Sequence, residues 1–378
     1  MDAINQHCHS LKSLHIDASG MEMSYLNLKM PCCTGITSLT LKNTNTDNPE
    51  STNHLIDMLG RMLNLSRLSL HGSSLDFTGR LWNELNDPDT VGLGLFKIRA
   101  LDLSSMLGVC DTVLSFILKS CPNVEDLNLS SMDLSSRVFT SIETLSRLVA
   151  LKVGYPTQRT IEFDSNIEHC LMTIGANLII LDISEFQRVP MPVLLKCCPI
   201  LKELCMNGCT FRVRRNDFDD DADEDDDIFD IDTSYSMLHT LEIGSAILKP
   251  RTSRDIQDFE VAREKIYVRR VIKQIQHFFI EPSSQCIEKL RIGNCDKSLI
   301  LKSLVNKQGN PAFSGLIDLD LSGNTCITKP DVIQILMACP VLKYLSLLNT
   351  GLTRQEIDSL KILVHKSKII TELRFSSH

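Results

Sequence analysis

The chain lacks the marks of several protein classes. No apolar run among its 378 residues reaches the roughly 18 needed for a membrane helix. The amino terminus has no basic segment followed by an apolar one, which argues against export. It contains no Gly-x-x-x-x-Gly-Lys-Ser/Thr phosphate loop, no Gly-x-Ser-x-Gly elbow and no His-Glu-x-x-His pair. His7, His9 and His15 near the start, like the rest of the ten histidines, form no catalytic pattern. A function must be argued from a site, so the expectation is no enzyme activity, no catalytic residue and no cofactor. Export being absent, the 14 cysteines fit free thiols of a reducing compartment, cytoplasmic or nuclear.

What the chain has is a repeated apolar phrase, Leu-x-x-Leu-x-Leu or a close substitute. Its middle residue recurs thirteen times, at Leu14, Leu39, Leu68, Leu101, Leu127, Leu151, Leu181, Leu204, Leu241, Leu290, Leu319, Leu345 and Leu373. Most steps are 23 to 33 residues, enough for a strand and a helix, but the steps after Leu204 and Leu241 are 37 and 49 and mark insertions. The last two apolar residues of each phrase flank one polar residue, as in Leu101-Asp102-Leu103, which is the period of a half-buried strand. Helical spacing follows, for example from Asp331 through Ile335 to the stop at Cys339-Pro340. The unit is strand, turn, helix, turn. Stacked units predict an α/β solenoid, a horseshoe with a curved parallel sheet on the concave side and helices on the convex side. The repeat runs through the whole chain, so one domain is expected over 1–378.

The stretches Cys121-Pro122-Asn123-Val124, Cys198-Pro199-Ile200-Leu201 and Cys339-Pro340-Val341-Leu342, each leading into a phrase, resemble the cysteine-containing class of leucine-rich repeats. That class is similar in fold to ribonuclease inhibitor. Its ninth position, counted from the first Leu, is commonly Cys or Asn; here Cys209, Cys295 and Asn324 stand there, with Ser19, Thr44, Ser73 and Thr350 as smaller polar versions. That residue satisfies backbone groups where the chain turns out of the strand. Six repeats depart from the pattern, and a lone Met106 or Phe186 there predicts an irregular turn. Repeats of this class are found in F-box proteins, substrate receptors of cullin-based (SCF-type) ubiquitin ligases. The resemblance implies a protein held on the repeats and a ligase adaptor gripped by a separate amino-terminal module. No F-box is present, and the first phrase begins at Leu11, which leaves no room for that module or for a polar cap. The expectation is therefore a truncated form of a longer protein, or an end covered by a partner. Two alternatives stay open: a free-standing repeat scaffold or inhibitor, and a GTPase activator of the leucine-rich-repeat type.

Strand alternation predicts the binding face. Residues before, between and after each inward apolar pair line the concave surface. The candidates are Asp102, Asp126, Asn128, Lys152, Asp182, Glu203, Glu242, Arg291, Asp320, Tyr344 and Arg374. The middle of this surface is mainly acidic, which favours a basic protein segment and repels nucleic acid. Tyr344 is the one concave aromatic. An opposing reading is that exposed strand positions are polar in any soluble solenoid.

Cys197, Cys198, Cys205 and Cys209 lie close enough to raise a zinc site, but repeat position accounts for Cys198 and Cys209, and Cys205 should point away from Cys209. No metal is expected. Asn64-Leu65-Ser66 and Asn128-Leu129-Ser130 match the glycosylation pattern but fall in or beside strands. The net charge of -8 is concentrated in Asp217–Asp232, whose eleven acidic residues, once set aside, leave +3 for everything else. That run contains no Gly, which a calcium loop would need, and the insertion 212–233 is expected to be a disordered acidic loop. The second insertion, 250–285, carries Val268, Val271, Ile272, Ile275, Phe278 and Phe279 at helical spacing among Arg269, Arg270 and Lys273. It predicts an amphipathic helix of the ninth repeat whose basic side could pair with the acidic run.

Overall fold

The structure, a computed structural model, describes residues 10–19, 35–46, 62–75, 97–132, 134–155, 165–211, 238–244, 286–293, 313–367 and 372–375, with positions 55, 59, 163, 271, 274, 275, 277 and 280. The chain divides into two compact units, Met1–Arg159 with Asp164–Leu178, and Thr160–Phe163 with Ile179–His378. The acidic run 212–233 lies outside the described residues.

Thirteen strands build parallel sheet in chain order. In the first unit these are β1 (Ser13–Asp17), β2 (Ser38–Lys42), β4 (Arg67–Ser69), β6 (Ala100–Asp102), β7 (Asp126–Asn128) and β8 (Ala150–Lys152). Short strands β3 (Asn45–Thr46) and β5 (Ser74–Leu75) pair with each other beside them. In the second unit they are β9 (Ile180–Asp182), β10 (Glu203–Cys205), β11 (Thr240–Gly244), β12 (Lys289–Gly293), β13 (Asp318–Asp320), β14 (Tyr344–Leu347) and β15 (Glu372–Phe375). The register aligns the phrases themselves. Leu14, Leu39, Leu68, Leu101, Leu127 and Leu151 are successive partners, as are Leu181, Leu204, Leu241, Leu290, Leu319, Leu345 and Leu373.

This register is enforced by burial. Leu101 and Leu103, Leu127 and Leu129, and Leu319 and Leu321 are buried while the residue between each pair is half-exposed. A slip by one residue would turn every such Leu to solvent, at about 1.5–3 kcal/mol for each.

Among the described residues the helices are α1 (Asp111–Ser120), α2 (Ser136–Ile142), α3 (Ser165–Ile174), α4 (Met191–Cys197), α5 (Lys329–Ala338) and α6 (Arg354–Ser367). In the first unit α1 packs on α2 and α2 on α3; in the second α5 meets α6. Thr328 and Asp331 cap the start of α5 reciprocally. The three Cys-Pro stretches share one stop. Pro excludes the helical region for the residue before it, and Cys121, Cys198 and Cys339 close their helices with ψ of 57°, 63° and 77°. Each cysteine carbonyl then accepts the N–H of the first apolar residue of the next phrase, Val124 at 3.2 Å, Leu201 at 3.4 Å and Leu342 at 3.2 Å. Burial pushes the Cys121 and Cys339 thiols up to about 12, so they pack as apolar groups.

Three of the ninth-position residues satisfy backbone groups as expected, and Cys295 lies outside the described residues. Asn324 donates to the Ile292 carbonyl, Cys209 to the Ile183 carbonyl and Thr350 to the Leu347 carbonyl. The irregular turn expected at Met106 and Phe186 is corrected by the structure. Their N–H groups reach Leu103 and Ile183 at 3.3 and 3.2 Å, the same turn that Cys209 makes to Met206 and Asn324 to Leu321. Both side chains are buried, at 5% and 0% exposure, and fill space that a polar residue occupies elsewhere.

Of the second insertion, 250–285, five residues are described. Val271, Gln274, Ile275 and Ile280 are buried; Val268, Ile272, Phe278 and Phe279 of the expected helix, with Arg269, Arg270 and Lys273, lie outside the described residues. Among the described residues no helix is long and apolar enough to cross a membrane.

Candidate protein-binding face

Each strand turns its residues alternately inward and to a polar face. The residue after the middle Leu forms one row of that face. In the first unit the row reads His15, Thr40, Ser69, Asp102, Asn128, Lys152, and in the second Asp182, Cys205, Glu242, Arg291, Asp320, Ser346, Arg374, each paired in register with the next. Asp126, Glu203 and Tyr344 stand in the row before it. All eleven predicted residues are half-exposed or exposed, and in each unit they fall on one face.

Several of these side chains first serve their own turn. Asp102 Oδ1 accepts the Ser104 N–H at 3.0 Å and its hydroxyl at 2.6 Å. Asp182 does the same for Ser184 at 2.9 and 2.7 Å. Asn128 Oδ1 accepts the Ser130 N–H at 3.0 Å, and Asp320 Oδ1 that of Ser322 at 2.9 Å. These bonds satisfy the backbone as the strand ends. The signal is the recurring Asp-Leu/Ile-Ser triplet. Only the second carboxylate oxygen remains for other work, and in Asp102 that oxygen accepts the Ser69 hydroxyl at 2.9 Å.

In the second unit the side chains link across neighbouring strands. The Ser184 hydroxyl lies 3.3 Å from Cys205 Sγ, which donates to Glu242 Oε2 at 3.4 Å. Asn207 Nδ2 donates to Cys205 Sγ at 3.0 Å and to Glu242 Oε2 at 3.2 Å. Arg291 bridges Glu242 at 3.7 Å and Asp320 at 3.4 Å. Ser322 pairs with Ser346 at 2.9 Å, and Arg374 with Glu372 at 2.7 Å. Burial, followed by the Asp182 charge, pushes the Cys205 thiol up to about 12, so it stays protonated and is a donor rather than a nucleophile. Cys209 faces inward, its thiol on a carbonyl, as alternation requires. Burial also raises Asp318 above the usual carboxylate range against the opposing pull of Lys289 and Arg374.

Charge is uneven along this strip. Asp182, Glu185 and Glu203 make no ion pair among the described residues, whereas the middle strands carry Lys289 and Arg291 beside Asp318 and Asp320. Glu185 did not stand out in the sequence. It holds a left-handed φ of 69°, four residues past Leu181. Asn43, Gly72, Ser105, Ser131, Tyr155, Gly208, Gly323 and Asn349 hold the equivalent place with φ of 53°, 65°, 57°, 58°, 57°, 71°, 82° and 53°. Among the described residues no three His, Cys, Asp or Glu side chains gather as a metal site would.

No protein-family model matches the chain, and no curated protein does. Among solved structures, Rad7 from its complex with Elc1 in yeast is similar with a TM-score of 0.54 at 16% identity, over 98% of this chain and 77% of its own. An internalin of Listeria monocytogenes matches with a TM-score of 0.47 at 15% identity, over 99% of this chain and 89% of its own. A leucine-rich-repeat protein of Leptospira interrogans matches with a TM-score of 0.42 at 16% identity, over 100% and 86%. The fold is that of the leucine-rich-repeat proteins. In leucine-rich-repeat terms the linked side chains belong to seven consecutive repeats of the second unit, and their common face is the one built from strand positions rather than from helices.

Proposed function

We propose that this leucine-rich-repeat protein is a binding module without chemistry of its own, holding a protein segment on the polar face of its sheet. The observation that carries the reading is the row of register-matched polar side chains over β9 to β15, which presents both charges beside Tyr344 of the adjoining row. The finer reading is substrate recognition in an SCF-type ubiquitin ligase. It is supported by the likeness of the three Cys-Pro repeats to F-box/leucine-rich-repeat proteins, and it requires an adaptor-gripping module on the full gene product. Affinity capture with any upstream coding sequence restored tests it. Recovery of the ligase adaptor supports the ligase role. Its absence from a capture that retains other partners leaves a free-standing scaffold or inhibitor.

A further inference from the structure

The polar face of the second unit is not uniform, and its two ends differ in chemistry. On β9 to β11 stand Asp182, Glu203 and Glu242, with the Glu185 carboxyl at the end of the first of these strands against Gly208. Of these four acids only Glu242 forms an ion pair among the described residues. Burial raises the Glu185 carboxyl, so a cation brought to it would relieve a desolvated charge. At β14 the same face carries Tyr344 and Leu348, both 37% exposed, on either side of the nearly buried Ser346. Leu348 is held there by its backbone, whose N–H reaches Ser322 Oγ at 3.3 Å and whose carbonyl accepts the Gly323 N–H at 2.8 Å. Between the two ends Arg291 is shared by Glu242 and Asp320, which leaves the middle self-neutralised.

We propose that the second unit recognises a linear peptide lying across its strands, with Lys or Arg at one end and a bulky apolar residue about seven positions away. The spacing follows from geometry. Five strand steps separate β9 from β14, about 24 Å at about 4.8 Å each, and an extended peptide covers about 3.4 Å per residue. The cationic residue meets Asp182, Glu185 and Glu203, the apolar one rests on Tyr344 and Leu348, and uncharged residues cross the neutral middle. An aromatic flanked by aliphatic surface is the kind of anchor on which interface energy concentrates. The acidic end rejects nucleic acid. This inference rests on the reading that the polar face holds a protein segment.

Selection of a random peptide library of about twelve residues on the immobilised full chain tests it, followed by fluorescence anisotropy of one enriched peptide. The enriched sequences are expected to carry Lys or Arg about six to eight positions from Leu, Phe or Trp. Glu203→Lys should weaken binding about tenfold and flatten its salt dependence, whereas Tyr344→Ala should weaken it about tenfold with the salt dependence kept. Glu203→Gln serves if the charge reversal unfolds the chain, as judged by circular dichroism. Enriched peptides without that spacing, or undiminished binding by both variants, would overturn this proposal and leave the binding module standing. If no peptide of any chemistry is enriched, the reading of the polar face as a peptide-holding surface falls with it.

Discussion

Asn324 places its side-chain amide 2.6 Å from the Ile292 carbonyl and 2.7 Å from its own repeat's Leu321 carbonyl, at 1% exposure. One buried side chain thus ties the end of β12 to the turn after β13. Asn324→Ala removes both side-chain bonds and takes the side-chain donor from the Ile292 carbonyl, while the Leu321 carbonyl keeps the backbone N–H of residue 324, so a loss of about 1–3 kcal/mol is expected in urea unfolding. Asn324→Cys should lose less, because Cys209 makes the equivalent bond to Ile183 at 3.0 Å. Equal losses for the two variants would mean that a thiol cannot stand in for the amide at this position.

A second contact between repeats is steric. A β-carbon on Gly351 would lie 2.2 Å from the Thr325 carbonyl oxygen, a backbone atom that cannot swing aside. At Gly108 a β-carbon would meet nothing within 4 Å, although φ is +73°. Gly108→Ala therefore carries only the conformational cost, about 1 kcal/mol. Gly351→Ala must push two repeats apart and should cost more, about 1–3 kcal/mol. Thermal melts of both variants compare the two costs, and a Gly351→Ala change milder than Gly108→Ala would contradict the close approach.

The architecture was legible because inward leucines obey a period of two in the strand and a nearly constant repeat length, and both survive in the order of residues. Leu101 with Leu103, or Leu319 with Leu321, could be placed without knowing a neighbour. The turns could not be placed that way. Met106 and Phe186 adopt the same turn as Cys209 because the backbone there is held by the adjoining repeat: the Ser105 N–H reaches the Ser130 carbonyl at 2.9 Å, and the Glu185 N–H reaches that of Asn207 at 2.7 Å. The side chain at such a site follows the fold and does not announce it. The candidate face was half legible for a related reason. Alternation found which side Asp102, Asp182 and Asp320 occupy, but not that one oxygen of each is already bonded to the serine two residues on.

Asp318 gives a pH prediction. Burial raises its carboxyl above the ordinary value of 3.8, with Lys289 and Arg374 opposing the shift. A folded value above the unfolded one means that the folded state binds the proton more readily, so this group's contribution is most favourable below 3.8 and declines as pH rises through the raised value. Asp318→Asn removes the titration. The variant should therefore melt higher than the parent at neutral pH, and the gap should close on acidification below the ordinary carboxylate range. A gap that widens in acid would show that Lys289 and Arg374, not burial, dominate this carboxyl.

Glu185, in the turn after β9, holds a conformation that L residues other than Asn and Asp seldom adopt, with φ of 69°, and its carboxyl lies against Gly208, where an added β-carbon would fall 2.3 Å from Oε1. Other repeats hold this left-handed place with Asn43, Gly208, Ser131 or Tyr155, so the fold itself does not call for a glutamate. Glu185→Gly relieves the left-handed strain and the desolvated carboxyl together, while glycine's greater freedom in the unfolded chain offsets part of the gain. A net stabilisation of about 0.5–1 kcal/mol is expected. If the carboxyl is kept for a cationic ligand, the same change should weaken the peptide selected on the polar face while raising the melting temperature, the exchange of stability for binding that a strained functional residue implies. A variant that is both less stable and fully competent to bind would show that Glu185 serves the turn alone.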